Sequence, residues 1–100
     1  MRINPVFALL LLYGLSQPIL AASIEEARRL TDARDFAAAI EQFSQLVQVT
    51  PGNADLLIEA ARVNGWADRN AESARLYQQV LQVAPARLSD IRGALAWQLH

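Results

Sequence analysis

The stretch QFSQLVQVTP, residues 42–51, returns as LYQQVLQVAP at residues 76–85. Both copies read aromatic–x–x–apolar–apolar–Gln–Val–x–Pro, with Phe43 and Tyr77 separated by 34 positions (77 − 43). The same offset pairs Ile24 with Ile58, Glu25 with Glu59, Ala27 with Ala61, Arg28 with Arg62 and Ala33 with Ala67. Ala37 and Ala71, Gln45 and Gln79, Gln48 and Gln82, Val49 and Val83, and Pro51 and Pro85 continue the series. Identities at one fixed offset mark a supersecondary unit in tandem: a unit too small to bury its own apolar face stacks on its copy.

Each unit reads as two helices. Ser23 followed by Glu26 has the form of a capping box, and Ala27, Leu30 and Ala33 continue a small apolar stripe at helical spacing. A break at Ala33–Asp35 precedes a second helix, Phe36–Val49, which sets Phe36, Ala39, Ile40, Phe43, Leu46 and Val47 on one face. Thr50–Pro51–Gly52–Asn53 stops it, since Pro has no amide hydrogen for the ladder and Gly and Asn tolerate turns. The second unit predicts helices over about Ala54–Ala67 and Ala71–Val83, with a loop near Asp68–Asn70 and a stop at Ala84–Pro85. A third opening helix, Leu88–His100, follows. The fold class is all-α, with no strand signal.

The N-terminus is of another kind. Arg2 and the terminal amine precede the apolar run Val6–Leu15, a polar break at Ser16–Pro18 and the small residues Ala21 and Ala22. That order is the one found in secretory signal peptides. The run is short of the roughly 20 apolar residues that span a bilayer. Residues 1–22 are therefore read as a signal peptide, the chain's one membrane contact if it stays uncleaved. Residues 23–53 are the first repeat, 54–87 the second, and 88–100 the first helix of a third, incomplete one.

The absence of cysteine excludes disulfides, thiol chemistry and a Cys-linked lipid. Export without disulfides fits the periplasm or outer membrane of a Gram-negative bacterium. Beyond residue 22 the chain has eight Arg, no Lys and ten Asp plus Glu, a formal charge of −2 (8 − 10), which speaks against a nucleic-acid partner. The sequence shows no catalytic constellation, metal-ligand cluster or cofactor loop. His100, the single histidine, is the last residue, and Asp32, Asp35 and Asp68 fall at inter-helix bends where Asp serves turn chemistry. Glu25 with Arg28 and Arg29, and Glu59 with Arg62, have the spacing of surface ion pairs on a helix. The expectation is a protein that is not an enzyme.

A 34-residue helix–turn–helix closed by Pro resembles the tetratricopeptide repeat. The matching residues are Ala27, Leu30, Asp35–Phe36, Ala39, Phe43, Leu46 and Pro51, then Leu57, Ala61, Tyr77, Val80 and Pro85. Ser73, Asn64 and Asn70 depart from the pattern in the second unit, at positions for Ala, a large apolar residue and an aromatic. The resemblance implies a stack of about two and a half hairpins. It further implies a concave groove lined by Ile24, Arg28 and Asp32, by Asp55, Ile58, Arg62 and Trp66, and by Arg92 and Ala96. Arg grips carboxylates bidentately and Trp offers a rigid contact surface, so the expected partner is a protein or acid-bearing peptide, or else a polysaccharide.

The final helix, with Ile91, Ala94, Leu95, Trp97 and Leu99, is too apolar for a solvated cap. It predicts either continuation into a longer protein or self-association through the 88–100 helix. The expected function is a non-catalytic interaction or scaffold module of the bacterial cell envelope. The alternative is the N-terminal periplasmic portion of a polysaccharide exporter or outer-membrane β-barrel protein.

Overall fold

Pro51 and Pro85 close two of the helices, and left-handed turns at Arg34 and Asp68 close two more. A computed structural model describes residues 23–99, with side-chain surroundings for 23–96. Five packed helices make up this part: α1, residues 23–32; α2, Phe36–Val49; α3, Ala54–Trp66; α4, Asn70–Val83; and α5, Leu88–Leu99, entered through a 3-10 turn at Pro85–Arg87. There is no strand among the described residues, and none of their helices is long and apolar enough to cross a membrane. The expected leader and His100 lie outside the described residues, as do the side chains of Trp97 and Leu99 invoked for self-association.

The helix boundaries themselves repeat. Residue 32 and Trp66 end helices, Phe36 and Asn70 begin them, Val49 and Val83 end them, and Ala54 and Leu88 begin them. Every pair differs by 34 (66 − 32, 70 − 36, 83 − 49, 88 − 54). The third helix thus stops at Trp66, one residue short of the expected Ala67, and the fourth starts at Asn70, one before Ala71.

The backbone explains the tight turns. Arg34 and Asp68 adopt left-handed φ values of 66° and 62°. The Arg34 amide donates to the Thr31 carbonyl at 3.0 Å and the Asp35 amide to Leu30 at 2.9 Å. In the second copy Asp68 donates to Gly65 at 3.0 Å and Arg69 to Asn64 at 2.8 Å. Both form the paired i−3 and i−5 bonds of a Schellman C-cap, which satisfies carbonyls that the helix end would orphan. Within α1, both Glu26 carboxylate oxygens accept from Arg29, at 2.9 and 2.5 Å.

Consecutive helices pack on one another, α2 on α3, α3 on α4 and α4 on α5. Ala27 and Ala61 are both fully buried, and their small side chains let neighbouring helices approach closely. Phe43 with Leu46, Tyr77 with Val80, and Leu57 with Ile91 fill the space between helices. Burying each such large side chain is worth about 1.5–3 kcal/mol, so a core of this size rests on few residues.

Candidate functional site

The helical register of α3 sets Asp55, Glu59, Arg62 and Trp66, spaced 4, 3 and 4 residues apart, along one side of the helix. From α1, Ile24, Arg28, Thr31 and Asp32 face the same space, and α2 supplies Phe43 and Leu46 as an apolar floor. Two clefts result. One, of about 140 Å³, is lined by Arg28, Asp32, Phe43, Glu59, Arg62 and Trp66. The other lies toward the start of α3, between Ile24, Arg28, Leu46, Asp55 and Glu59.

Arg28 and Glu59 belong to both. The Arg28 Nε donates to Glu59 Oε1 at 3.1 Å and its Nη2 to Oε2 at 3.0 Å, a two-pronged bridge from α1 to α3. The carboxylate raises the Arg28 pKa above its ordinary value, chiefly through these hydrogen bonds. The side chains are 59% and 28% exposed, so solvent screens the pair and about 0.2–1 kcal/mol is its ordinary worth. Glu59 was expected to pair with Arg62 on its own helix; a neighbouring helix offers it the flatter, bidentate fork instead.

Arg62 is left without a carboxylate within 4.0 Å among the described residues. It lies near the Tyr77 hydroxyl, whose pKa burial pushes up while the Arg62 charge opposes that push. Trp66, one turn further along α3, is 57% exposed, unusual for so large an apolar ring. Its indole is propped against Phe36, with ring centroids 6.0 Å apart at 39°. A second concavity beside it, shared by Thr31, Asp32, Arg34 and Phe36, widens the accessible face of the indole.

Of the expected groove residues, Arg28, Asp32, Arg62 and Trp66 meet in one cleft, and Ile24 and Asp55 join Arg28 in the other. Asp55 is bound at 2.8 Å by Arg87, which also holds Asp90 at 2.6 Å and so ties the start of α3 to the start of α5. Ile58 is 4% exposed and belongs to the core rather than to a groove wall. Arg92 and Ala96 are exposed on α5 and line none of these clefts. Glu59, Phe43 and Phe36 were missed. Glu59 carried a usable signal, its register with Asp55 and Arg62, whereas the Phe36–Trp66 contact depends on how two hairpins meet.

The cleft's ionisable groups are guanidinium and carboxylate, and no group of three His, Cys, Asp or Glu is set to hold a metal ion among the described residues. Such a surface can grip charge and cover an apolar face. No protein-family model matches the chain, and no curated protein matches its sequence.

Proposed function

We propose that the chain is a non-catalytic protein-interaction module of tetratricopeptide-like repeats, exported to the envelope of a Gram-negative bacterium, that binds an acid-bearing peptide along α3. The repeat reading is supported by helix boundaries and left-handed turns that recur at 34 residues. The export reading is supported by the order of basic, apolar and small residues in 1–22. One observation carries the binding reading: a half-exposed tryptophan stands beside an arginine with no carboxylate of its own, over an apolar floor. Exposed aromatic and Arg anchors of this kind dominate protein interfaces.

Selecting a random peptide library on the immobilised full chain tests it. Enrichment of acidic peptides is expected, with binding lost in the Arg62→Ala/Trp66→Ala double variant at unchanged helix content. Enrichment of peptides that bind the double variant equally well would refute the site.

A further inference from the structure

The two clefts along α3 share both residues of one ion pair and nothing else. Asp55, Glu59, Arg62 and Trp66 run along one side of the helix, and α2 floors each cleft, with Phe43 under one and Leu46 under the other. The clefts are therefore the two ends of a single trench, and the Arg28–Glu59 bridge crosses it midway.

We propose that Glu59 is a built-in competitor, occupying the Arg28 fork as a ligand carboxylate would and so setting the charge that a ligand needs to fill the trench. The inference rests on the acidic-peptide reading given above. Arg62 is open to a first acidic group, while Arg28 is already taken at 3.1 and 3.0 Å. A ligand with one acid binds at the Trp66 end alone. A ligand with a second acid further along must displace Glu59 from Arg28 or leave that acid unpaired beside a like charge. Displacement is feasible because the bridge is exposed to water and exchanges one charge-assisted pair for another. Glu59 thus weakens the second acidic contact and raises the charge a ligand needs to fill the whole trench, and the bridge opens only for a multiply acidic segment.

The test uses the full chain and two fluorescein-labelled decapeptides, one of alternating glutamate and leucine, the other with glutamine for every glutamate, followed by anisotropy. Glu59→Gln is expected to bind the acidic peptide tighter than the unmodified chain, by up to about five-fold, the ratio that removing a competing surface pair gives at most. The gain should vanish in Glu59→Gln/Arg28→Gln and be absent with the glutamine peptide. The Arg28 Nε resonance provides a second readout: it should shift in Glu59→Gln and shift back when the acidic peptide is added. If the unmodified chain binds and Glu59→Gln binds no better, the competitor role is overturned while the groove reading stands. A gain of equal size with the glutamine peptide overturns it too. If no form binds either peptide, both fall.

Discussion

The two helical hairpins, α1–α2 and α3–α4, follow one backbone plan with different fillings. Their N-cap residues, Asp35 and Arg69, have φ/ψ of −89°/72° and −94°/68°, yet only Asp35 supplies a side-chain acceptor, to the Ala38 amide. Leu30 gives way to the buried Asn64, Phe36 to the exposed Asn70, and Ala39 to the buried Ser73. The second hairpin absorbs its polar residues with internal hydrogen bonds. Ser73 Oγ donates to the Ala61 carbonyl and Asn64 Nδ2 to Ala60, both at 2.8 Å. The comparison teaches that a few small residues and turn geometries fix the plan, and that side chains elsewhere can change when most of their buried polar atoms find partners.

That equivalence is most exposed to failure at Phe43 and Tyr77, copies of one position and both nearly fully buried. Phe43→Ala and Tyr77→Ala should each cost about 3–5 kcal/mol, enough to unfold much of a chain this small. Urea titration followed by circular dichroism gives both values. A loss of several kcal/mol for one and under about 1 kcal/mol for the other would mean that the hairpins do not carry equal shares of the core.

A gain is expected where the second copy is imperfectly satisfied. Asn64 is buried, and its Oδ1 has no hydrogen-bond partner, the one such side-chain atom among the described residues. Asn64 also borders a cleft floored by Ile40, Phe43, Val47 and Leu76, so a larger apolar side chain has room. Asn64→Leu restores the residue type of Leu30 and removes an orphaned acceptor, worth about 1–3 kcal/mol of added stability in the same titration. A loss would mean that this polar atom is satisfied in solution and that the hairpins differ by design at this point.

These positions also show how far the sequence could be read. The period was legible because Ala27/Ala61, Phe43/Tyr77 and Pro51/Pro85 are constrained by close packing and by chain reversal, and such constraints recur wherever the geometry recurs. The left-handed turns were not, because Arg34 and Asp68 fill positions where glycine would have announced them. Arg62 and Trp66 could be placed through the resemblance to the tetratricopeptide repeat, and the structure sets both in one cleft. Ile58 could not, because its copy Ile24 is half-buried on α1, whereas α3 has packed helices around it. The Arg28–Glu59 bridge was hidden for a related reason: spacing along one helix nominates partners, and the distance to the next helix decides among them.

The N-caps sharpen the comparison on a smaller scale. Arg69→Asp gives α4 the acceptor that Asp35 gives α2 and puts a negative charge at the positive end of the helix. It should raise stability by about 1 kcal/mol, and Asp35→Ala should lower it by a similar amount. Melting curves of the two variants should shift in opposite directions. Shifts in the same direction would show that the Asp35 acceptor, 3.4 Å from its donor, is not what closes that end of the helix.

The last difference between the hairpins appears only in alkali. Phe43 has no proton to lose, whereas its copy Tyr77 is buried and its pKa is pushed above the ordinary 10.0 by loss of solvation, with Arg62 opposing the push. A group whose pKa is raised by folding contributes stability that is fully present below the unfolded value and lost as pH climbs through the folded one. The unmodified chain should therefore keep its melting temperature up to about pH 10 and lose it above, as the unfolded phenol ionises first and pulls the equilibrium over. Tyr77→Phe makes the second hairpin like the first at this position and should flatten that part of the profile, with little change at neutral pH. If the alkaline loss persisted unchanged in Tyr77→Phe, the titration would belong to another group, and the phenol would have to be solvated despite the helices packed around it.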